Sequence, residues 1–523
     1  MTASRAEPVD TGQVIHLAVL GHAAARPDAP ALAAAGQPPI SYGDLAAAAR
    51  TYAVELTRRG VRSGQVVPLL LPRSPQLAAV ELAVLMCGAA YANLDVRWPA
   101  ERHTAVLDMI APDLVVAREP APAGACWVLA PEDPREAAAR ATAFAPVVVD
   151  ATAPATVFFT SGTTGLPKGV VIPHRAVSRL FGPSGLPGFG PGHVTPQAAP
   201  APWDMYAFEL WGQLTSGGCS ALVAEDHLLP ERLAGLIRDA GVDTLWLTTS
   251  LFNLFVDEDV DCFTGLRVVL TGGERLSPTH VRAFLDAHPG IPLRNGYGPA
   301  ENCMLTTTRL IRREDCDLPG GIPVGTDVPG TRVLLLGEDG QRCPPDVPGE
   351  ICIAGRGLAL GYLGAPELTA EKFPTVEVDG RPVRIYRTGD IGVVDRGGVL
   401  HFRGRRDRQI KLGGHRIELG EIEVTARRLA GVRDCVALPL TGADGAVARL
   451  ALCYTRDGAA KDPAEVRAQL AARLPAYLVP AVVRALDQFP VTANGKVDAR
   501  ELERLARRPA RSNRPARAAA QAG

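Results

Sequence analysis

The chain has 523 residues, of which 47% are apolar and 21% charged, and its formal net charge is −1. That length exceeds one ordinary core and predicts two or more domains. The near-neutral balance argues against nucleic acid or an anionic membrane as the main partner, and the ten cysteines, scattered from Cys87 to Cys453 with neither a Cys-x-x-Cys nor a zinc-spaced His, are expected to be reduced core residues of a cytoplasmic protein.

Taken in chain order, Met1–Asp10 lacks the charged segment and apolar run of a secretory signal. Tyr42–Arg59 and Pro75–Cys87 are predicted helices, with Val66–Leu71 a strand between them. The apolar stretch Leu77–Ala90 is interrupted by Glu81 and is too short to span a bilayer. Strands follow at Thr156–Thr160, Thr244–Leu247 and Val268–Leu270, with a helix at Pro230–Ala240. This alternation up to about Arg405 predicts α/β layers. Strands and tight turns dominate from Gly321 to Phe402, including Asp339–Gly340. A smaller α+β pattern comes next: a helix at Arg416–Leu429, strands at Cys435–Pro439 and Arg449–Thr455, and a helix at Pro463–Arg473. The predicted division is 1–406 as the large domain and 407–505 as the small one. The Arg/Ala/Pro-rich tail, 506–523, holds too few large apolar residues to fold by itself and is expected to be disordered.

Several loops carry chemistry. Thr160-Ser161-Gly162-Thr163-Thr164-Gly165-Leu166-Pro167-Lys168-Gly169 lies between two apolar strands. Its glycines allow backbone N–H groups to approach an anion, and its hydroxyls and one ammonium add donors without negative charge. Pro167 and Gly169 stand where a Walker A loop has Gly and Ser or Thr, so the loop suits a polyphosphate by another geometry. In Asn295–Glu301, Tyr297 offers a ring for adenine, Asn295 an amide for its edge, and Glu301 a carboxylate for Mg²⁺. Tyr386–Asp390 places a carboxylate after a Gly turn, suited to ribose hydroxyls. Gly404–Gln409 and Asn494–Lys496 contribute cations.

These loops, in this order, resemble the adenylate-forming superfamily, specifically the adenylation domains of nonribosomal peptide synthetases. The resemblance runs from about Val14 to Leu505. It is carried by ISYGDL (Ile40–Leu45), LMCGAAYANLD (Leu85–Asp95), TSGTTGLPKG (Thr160–Gly169), WDMYAFELW (Trp203–Trp211) and NGYGPAE (Asn295–Glu301). It continues through GEICIAGRGLALGYL (Gly349–Leu363), YRTGD (Tyr386–Asp390), GRRDRQIKLGGHRIELGEIE (Gly404–Glu423), LPAYLVP (Leu474–Pro480) and NGK (Asn494–Lys496). Trp203 replaces the usual Phe, and Ala300 the usual Thr, which removes a hydroxyl that lies near the phosphate in relatives.

The resemblance implies a large N-terminal domain of two packed α/β sheet layers plus a distorted β-barrel, and a small mobile α+β C-terminal domain. It implies activation of a carboxylate by Mg·ATP as acyl-AMP, with release of pyrophosphate, then transfer to a phosphopantetheine thiol. Lys496, Glu301 and Lys168 are the implied catalytic residues. The implied nucleotide site comprises Thr160, Ser161, Gly162, Thr163, Thr164, Gly165, Lys168, Gly273, Asn295, Gly296, Tyr297, Asp390, Arg405 and Lys496, with Glu301 on the metal and Asp407 as hinge. Asp204 stands where relatives that activate α-amino acids hold the substrate ammonium; the alternative is that it caps the helix beginning at Met205.

The other implied pocket residues are Met205, Phe208, Trp246, Leu270, Gly272, Gly296, Met304 and Leu305. None is charged, so a charged or amide substrate side chain would be left unpaired. A small to medium aliphatic, valine-like amino acid is expected, with alanine, 2-aminobutyrate or a β-amino acid left open. No carrier-protein segment is seen in the sequence, so a freestanding enzyme, or an excised domain, serving a carrier protein in trans is expected. A need for an MbtH-type activator is left open. The rivals are an acyl- or aryl-CoA ligase of the same superfamily and an inactive ATP-binding module.

Overall fold

The structure, a computed structural model, describes residues 13–34, 36–121, 125–162, 166–182, 185–225, 227–442, 447–456, 462–490 and 497–508. The chain divides into two compact units, Met1–Glu418 and Leu419–Gly523. Residues 407–418, expected with the small domain, here belong to the large one. Among the described residues no helix is long and apolar enough to cross a membrane. All ten cysteines are free thiols.

The large unit is built from sheets whose strands alternate with helices, as the apolar patterning predicts. A seven-stranded sheet runs from Gly361–Tyr362 at one edge through Lys168–Pro173, Pro154–Thr160, Ala90–Asn93, Val66–Leu70 and Leu114–Ala117 to Ala125–Val128. A second layer holds a four-stranded sheet and a five-stranded one. The latter is ordered Thr244–Thr248, Val268–Gly272, Leu293–Tyr297, Thr307–Leu310, Thr326–Asp327. Its first three strands are parallel, with Trp246 beside Leu270 and Gly272 beside Gly296. The region expected as a distorted barrel is a five-stranded antiparallel sheet centred on the long strand Arg381–Val394.

Local signals account for the element starts. Ser41 caps the helix Tyr42–Arg58 by accepting from the Asp44 N–H, and Ser74 caps Pro75–Met86, where Pro75 fits the first turn. One predicted boundary shifts. The helix expected from Arg416 begins at Leu419, because His415–Ile417 pairs with Ile410–Leu412 as a small hairpin.

The small unit has Val447–Arg456 antiparallel to Val432–Thr441 and parallel to Val482–Leu486. Leu438, Leu440, Ala451 and Cys453 pack with Leu502 and Ala506 from the helix Ala499–Arg507. That helix orders the first two residues of the segment expected as tail; residues 509–523 lie outside the described set.

The helix Pro75–Met86 is apolar on nearly every side and sits deep in the large core. Glu81 is its one ionisable residue, fully buried, and it accepts from Asn93 Nδ2 at 2.7 Å. Burial pushes its carboxyl up to about 8, with the Asn93 bond opposing. The native state therefore holds a proton that the unfolded chain releases, and Glu81 costs stability as pH rises from the ordinary Glu range of about 4.3 towards 8. Glu81→Gln retains an acceptor for Asn93. It is expected to raise the melting temperature more at pH 8 than at pH 5, which thermal scans at the two values check.

Candidate active site

The site gathers at the carboxyl ends of the three parallel strands, the usual ligand position in open α/β sheets. Thr248, Gly272 and Tyr297 end these strands.

The hydroxyl-rich loop emerges from the antiparallel pair Pro154–Thr160 and Lys168–Pro173, with Thr160 opposite Lys168. At Gly162 a side chain is excluded, since a Cβ would lie 1.9 Å from the Leu166 carbonyl oxygen. Thr163, Thr164 and Gly165 lie outside the described residues. Ser161 Oγ donates to the Arg416 carbonyl at 2.6 Å and accepts from the Glu418 N–H at 3.1 Å. Lys168 Nζ lies 3.5 Å from Glu418 Oε1.

Glu301 is 1% exposed, so its charge must be compensated inside the protein. One oxygen accepts from the Tyr362 hydroxyl at 2.8 Å and the other from Arg416 Nη1 at 2.7 Å. Burial would raise this carboxyl. The Arg416 guanidinium and the Tyr362 hydroxyl outweigh burial and hold it below the ordinary range. Arg416 is itself oriented by Gln409 at 2.6 Å, and Gln409 donates to Glu418 at 2.6 Å. Lys168, Glu418, Gln409, Arg416 and Glu301 thus form one connected polar chain. Arg416, Gln409 and Glu418 lie within the motif at Gly404–Glu423 but had no role assigned from sequence.

Mg²⁺ typically binds one or two carboxylates and completes its shell with phosphate and water oxygens. Glu301 is a suitable hard donor, and among the described residues there is no group of three or more His, Cys, Asp or Glu that could hold a metal unaided. Each Glu301 oxygen already accepts one hydrogen bond here, so a metal on this carboxylate would share its remaining lone pairs or displace one of these contacts.

Asp390 accepts from the Tyr297 hydroxyl and from Arg405 Nη1, and Arg405 also grips Asp407 at 2.8 and 2.9 Å. Lys411 Nζ stands over the Tyr297 ring, 5.9 Å from its centre, on a ring expected to take adenine. Asn295 donates its amide to the Pro323 carbonyl at 2.9 Å. Gly273 has φ +88, a backbone position that favours glycine. Lys496 lies outside the described residues.

Most of the residues expected to line the substrate pocket share one region of the core. Met205, Phe208, Trp246, Leu270, Met304 and Leu305 are all buried in one apolar cluster. Phe208 meets Trp246 edge-on, with ring centres 6.3 Å apart. Gly296 lies under Leu305 and Trp246, and a Cβ there would come within 2.8 Å of a Leu305 methyl. At Gly272 a Cβ would strike the Gly296 carbonyl oxygen at 2.0 Å, so the close approach of these strands requires glycine. Asp204 is the first residue of the helix Asp204–Ser216, whose cap is Trp203. Its carboxylate crosses to the neighbouring loop and accepts from the Met304 N–H at 3.2 Å. Burial raises the Asp204 carboxyl, while the Met304 N–H and the Lys411 charge pull the other way.

The AMP-binding enzyme family model matches residues 20–363. Tyrocidine synthase 3 of Brevibacillus parabrevis is 35% identical over 470 residues, which are 88% of this chain and 7% of that protein. The chain thus spans a small fraction of the length of such relatives. Among solved structures, holo-PA1221, described as an NRPS (nonribosomal peptide synthetase) protein containing adenylation and PCP domains, aligns with a TM-score of 0.86 at 33% identity. That alignment covers 95% of this chain and 85% of that one. Klebsiella oxytoca NpsA in complex with 3-hydroxyanthranilyl-AMSN aligns with a TM-score of 0.69 at 27% identity, over 94% and 99% of the two chains. By these matches the chain belongs to the AMP-binding enzyme family, as an adenylation domain of the nonribosomal peptide synthetase type.

Proposed function

We propose that this chain activates an amino acid with Mg·ATP as an aminoacyl-adenylate, releases pyrophosphate, and passes the acyl group to the phosphopantetheine thiol of a carrier protein. The observation that carries the amino-acid reading is Asp204, a buried carboxylate beside apolar side chains, with Lys411 the cation that acts on it. A carboxylate in that setting is matched by an ammonium, and the apolar neighbours by an aliphatic side chain. Trp246, Met205 and Met304 restrict the volume, which favours a small to medium, valine-like side chain.

The substrate carboxylate is already a nucleophile, so adenylation needs no general base. The barrier is bringing two anions together, which calls for positioning and charge neutralisation. In this reading Lys496 bridges the carboxylate and the α-phosphate, and the loop from Thr160 to Lys168 holds the departing phosphates. Asp390, with Arg405, orients the ribose, and Tyr297 supports the adenine. Mg²⁺ bound with the nucleotide offsets phosphate charge, and Glu301 is the residue that would hold it.

In those roles the bonds from Arg416 to Glu301 and from Ser161 to the Arg416 carbonyl give way to bonds to nucleotide. Turning the small domain, together with residues 408–418, about Asp407 is the proposed way to withdraw Arg416 and admit Lys496.

Pyrophosphate exchange with a panel of amino, aryl and fatty acids tests the reading. Exchange is expected with aliphatic amino acids and absent with benzoates and fatty acids. A response to aryl acids alone would favour an aryl-acid ligase, and ATP binding without exchange on any acid an inactive module.

A further inference from the structure

The loop that joins Glu301 to the pocket has an unusual backbone. Cys303 has φ +50 and Met304 φ +72, two successive side-chain-bearing residues in the left-handed half of conformational space. Such residues persist only where their surroundings over-determine them. Here the surroundings include one side chain, Arg179, which follows the short helix His174–Ser178. Its guanidinium donates to the carbonyls of Asn302 at 2.7 Å, Cys303 at 3.2 Å and Leu305 at 2.6 Å. It also donates to the Ala176 carbonyl and to Thr331 Oγ1 at 3.3 Å. Every one of these acceptors is neutral. Burial lowers the guanidinium to about 10. A half-buried cation with no carboxylate bonded to it among the described residues is costly to keep, and its donors converge on the turn that carries the strain.

The same turn carries residues expected to line the substrate pocket. Met304 supplies the N–H bound to Asp204, and the side chains of Met304 and Leu305 are buried beside Trp246 and Gly296 in the large core. Gly357 leaves the space the guanidinium needs, because a Cβ there would lie 2.5 Å from both Arg179 Cζ and Asn302 Oδ1.

We propose that Arg179 is a positioning residue for substrate selection: by gripping Asn302, Cys303 and Leu305 it holds the left-handed turn that aims the Met304 N–H at Asp204 and fixes Met304 and Leu305 as walls. The selection part rests on the amino-acid reading above; the grip on the turn does not.

Two measurements on Arg179→Met, Arg179→Lys and Gly357→Ala test it. In pyrophosphate exchange, Arg179→Met is expected to raise KM for the preferred amino acid about tenfold or more, and to erode discrimination between acids one methylene apart, which a well-formed pocket sets at about 10-fold or more. KM for ATP should rise several-fold less than KM for the amino acid, since the turn carries the amino-acid pocket residues and meets the nucleotide site only through its first residue, beside Glu301. Arg179→Lys, with fewer donors, should fall between. Gly357→Ala, which displaces the guanidinium without removing it, should show the same pattern more weakly. In hydrogen–deuterium exchange, amides 302–306 should exchange faster in Arg179→Met while those of 154–160 do not.

Unchanged protection of 302–306 overturns the grip. Faster exchange there with unchanged selectivity, or equal losses for ATP and amino acid, overturns the selection role. A wild type with no amino-acid-dependent exchange overturns the amino-acid reading and with it the selection role, and hydrogen exchange still decides the grip.

Discussion

Lys496→Ala is expected to slow adenylate formation by about 10²-fold or more, the size of effect seen when a positioned charge contact to developing or opposing charge is lost. The first half-reaction brings a carboxylate against an anionic phosphate, so a single ammonium placed between them acts on the barrier itself. The second half-reaction, thiol attack on an adenylate already formed, has no such pair of anions to hold together. Transfer from preformed adenylate should therefore be slowed far less. Pyrophosphate exchange measures the first step and single-turnover loading of a carrier thiol the second. Wild-type exchange in the variant would remove Lys496 from its role.

Asp204→Asn is expected to lower kcat/KM for the amino acid by about 10²- to 10⁴-fold, because truncating one partner of a buried charge pair costs about 3–5 kcal/mol. Asparagine keeps the shape and can still accept from the Met304 N–H, so the loss reports the charge. The pH profile gives a second signature. Burial raises the Asp204 carboxyl above the ordinary aspartate range of about 3.9, against the opposing pull of the Met304 N–H and Lys411. As pH falls through that raised value the carboxylate is protonated and loses its attraction for an ammonium. The acid limb of kcat/KM for the amino acid should thus lie at higher pH than an ordinary aspartate would place it, and it should vanish in the asparagine variant. A variant with wild-type KM for the amino acid, or an unchanged acid limb, would refute the ammonium role.

Together these expectations separate two jobs within one site. The first variant should fail on chemistry with any acid, the second on the choice of acid. The polar chain from Lys168 through Glu418, Gln409 and Arg416 to Glu301 ties the phosphate loop to the residues that follow Asp407. It gives the charge of Glu301 a partner in this arrangement, and so a reason why a buried carboxylate is tolerable before any nucleotide or metal arrives.

What the sequence determined by itself was local order and chemistry close along the chain. The helix at Tyr42–Arg58 and the strands at Val66–Leu70 and Thr244–Thr248 follow from apolar periodicity and from caps one turn away. The strand–loop–strand at Pro154–Pro173 follows from apolar runs flanking a segment rich in glycine and hydroxyls. Asp204 was singled out by its place in a motif. Its contact was not, because the helix-capping alternative uses neighbouring N–H groups, whereas the observed partner, Met304, is a hundred positions away.

Tertiary structure alone decided the pairings. Arg416 reaches Glu301 across 115 positions, and Arg179 reaches Leu305 across 126. The start of the last large-unit hairpin at Ile410, in place of a helix from Arg416, was set by pairing with His415–Ile417. Such contacts leave no periodic trace, because a buried charge can be compensated by any donor that the folded sheets bring within about 3 Å, and chain separation does not enter that energy.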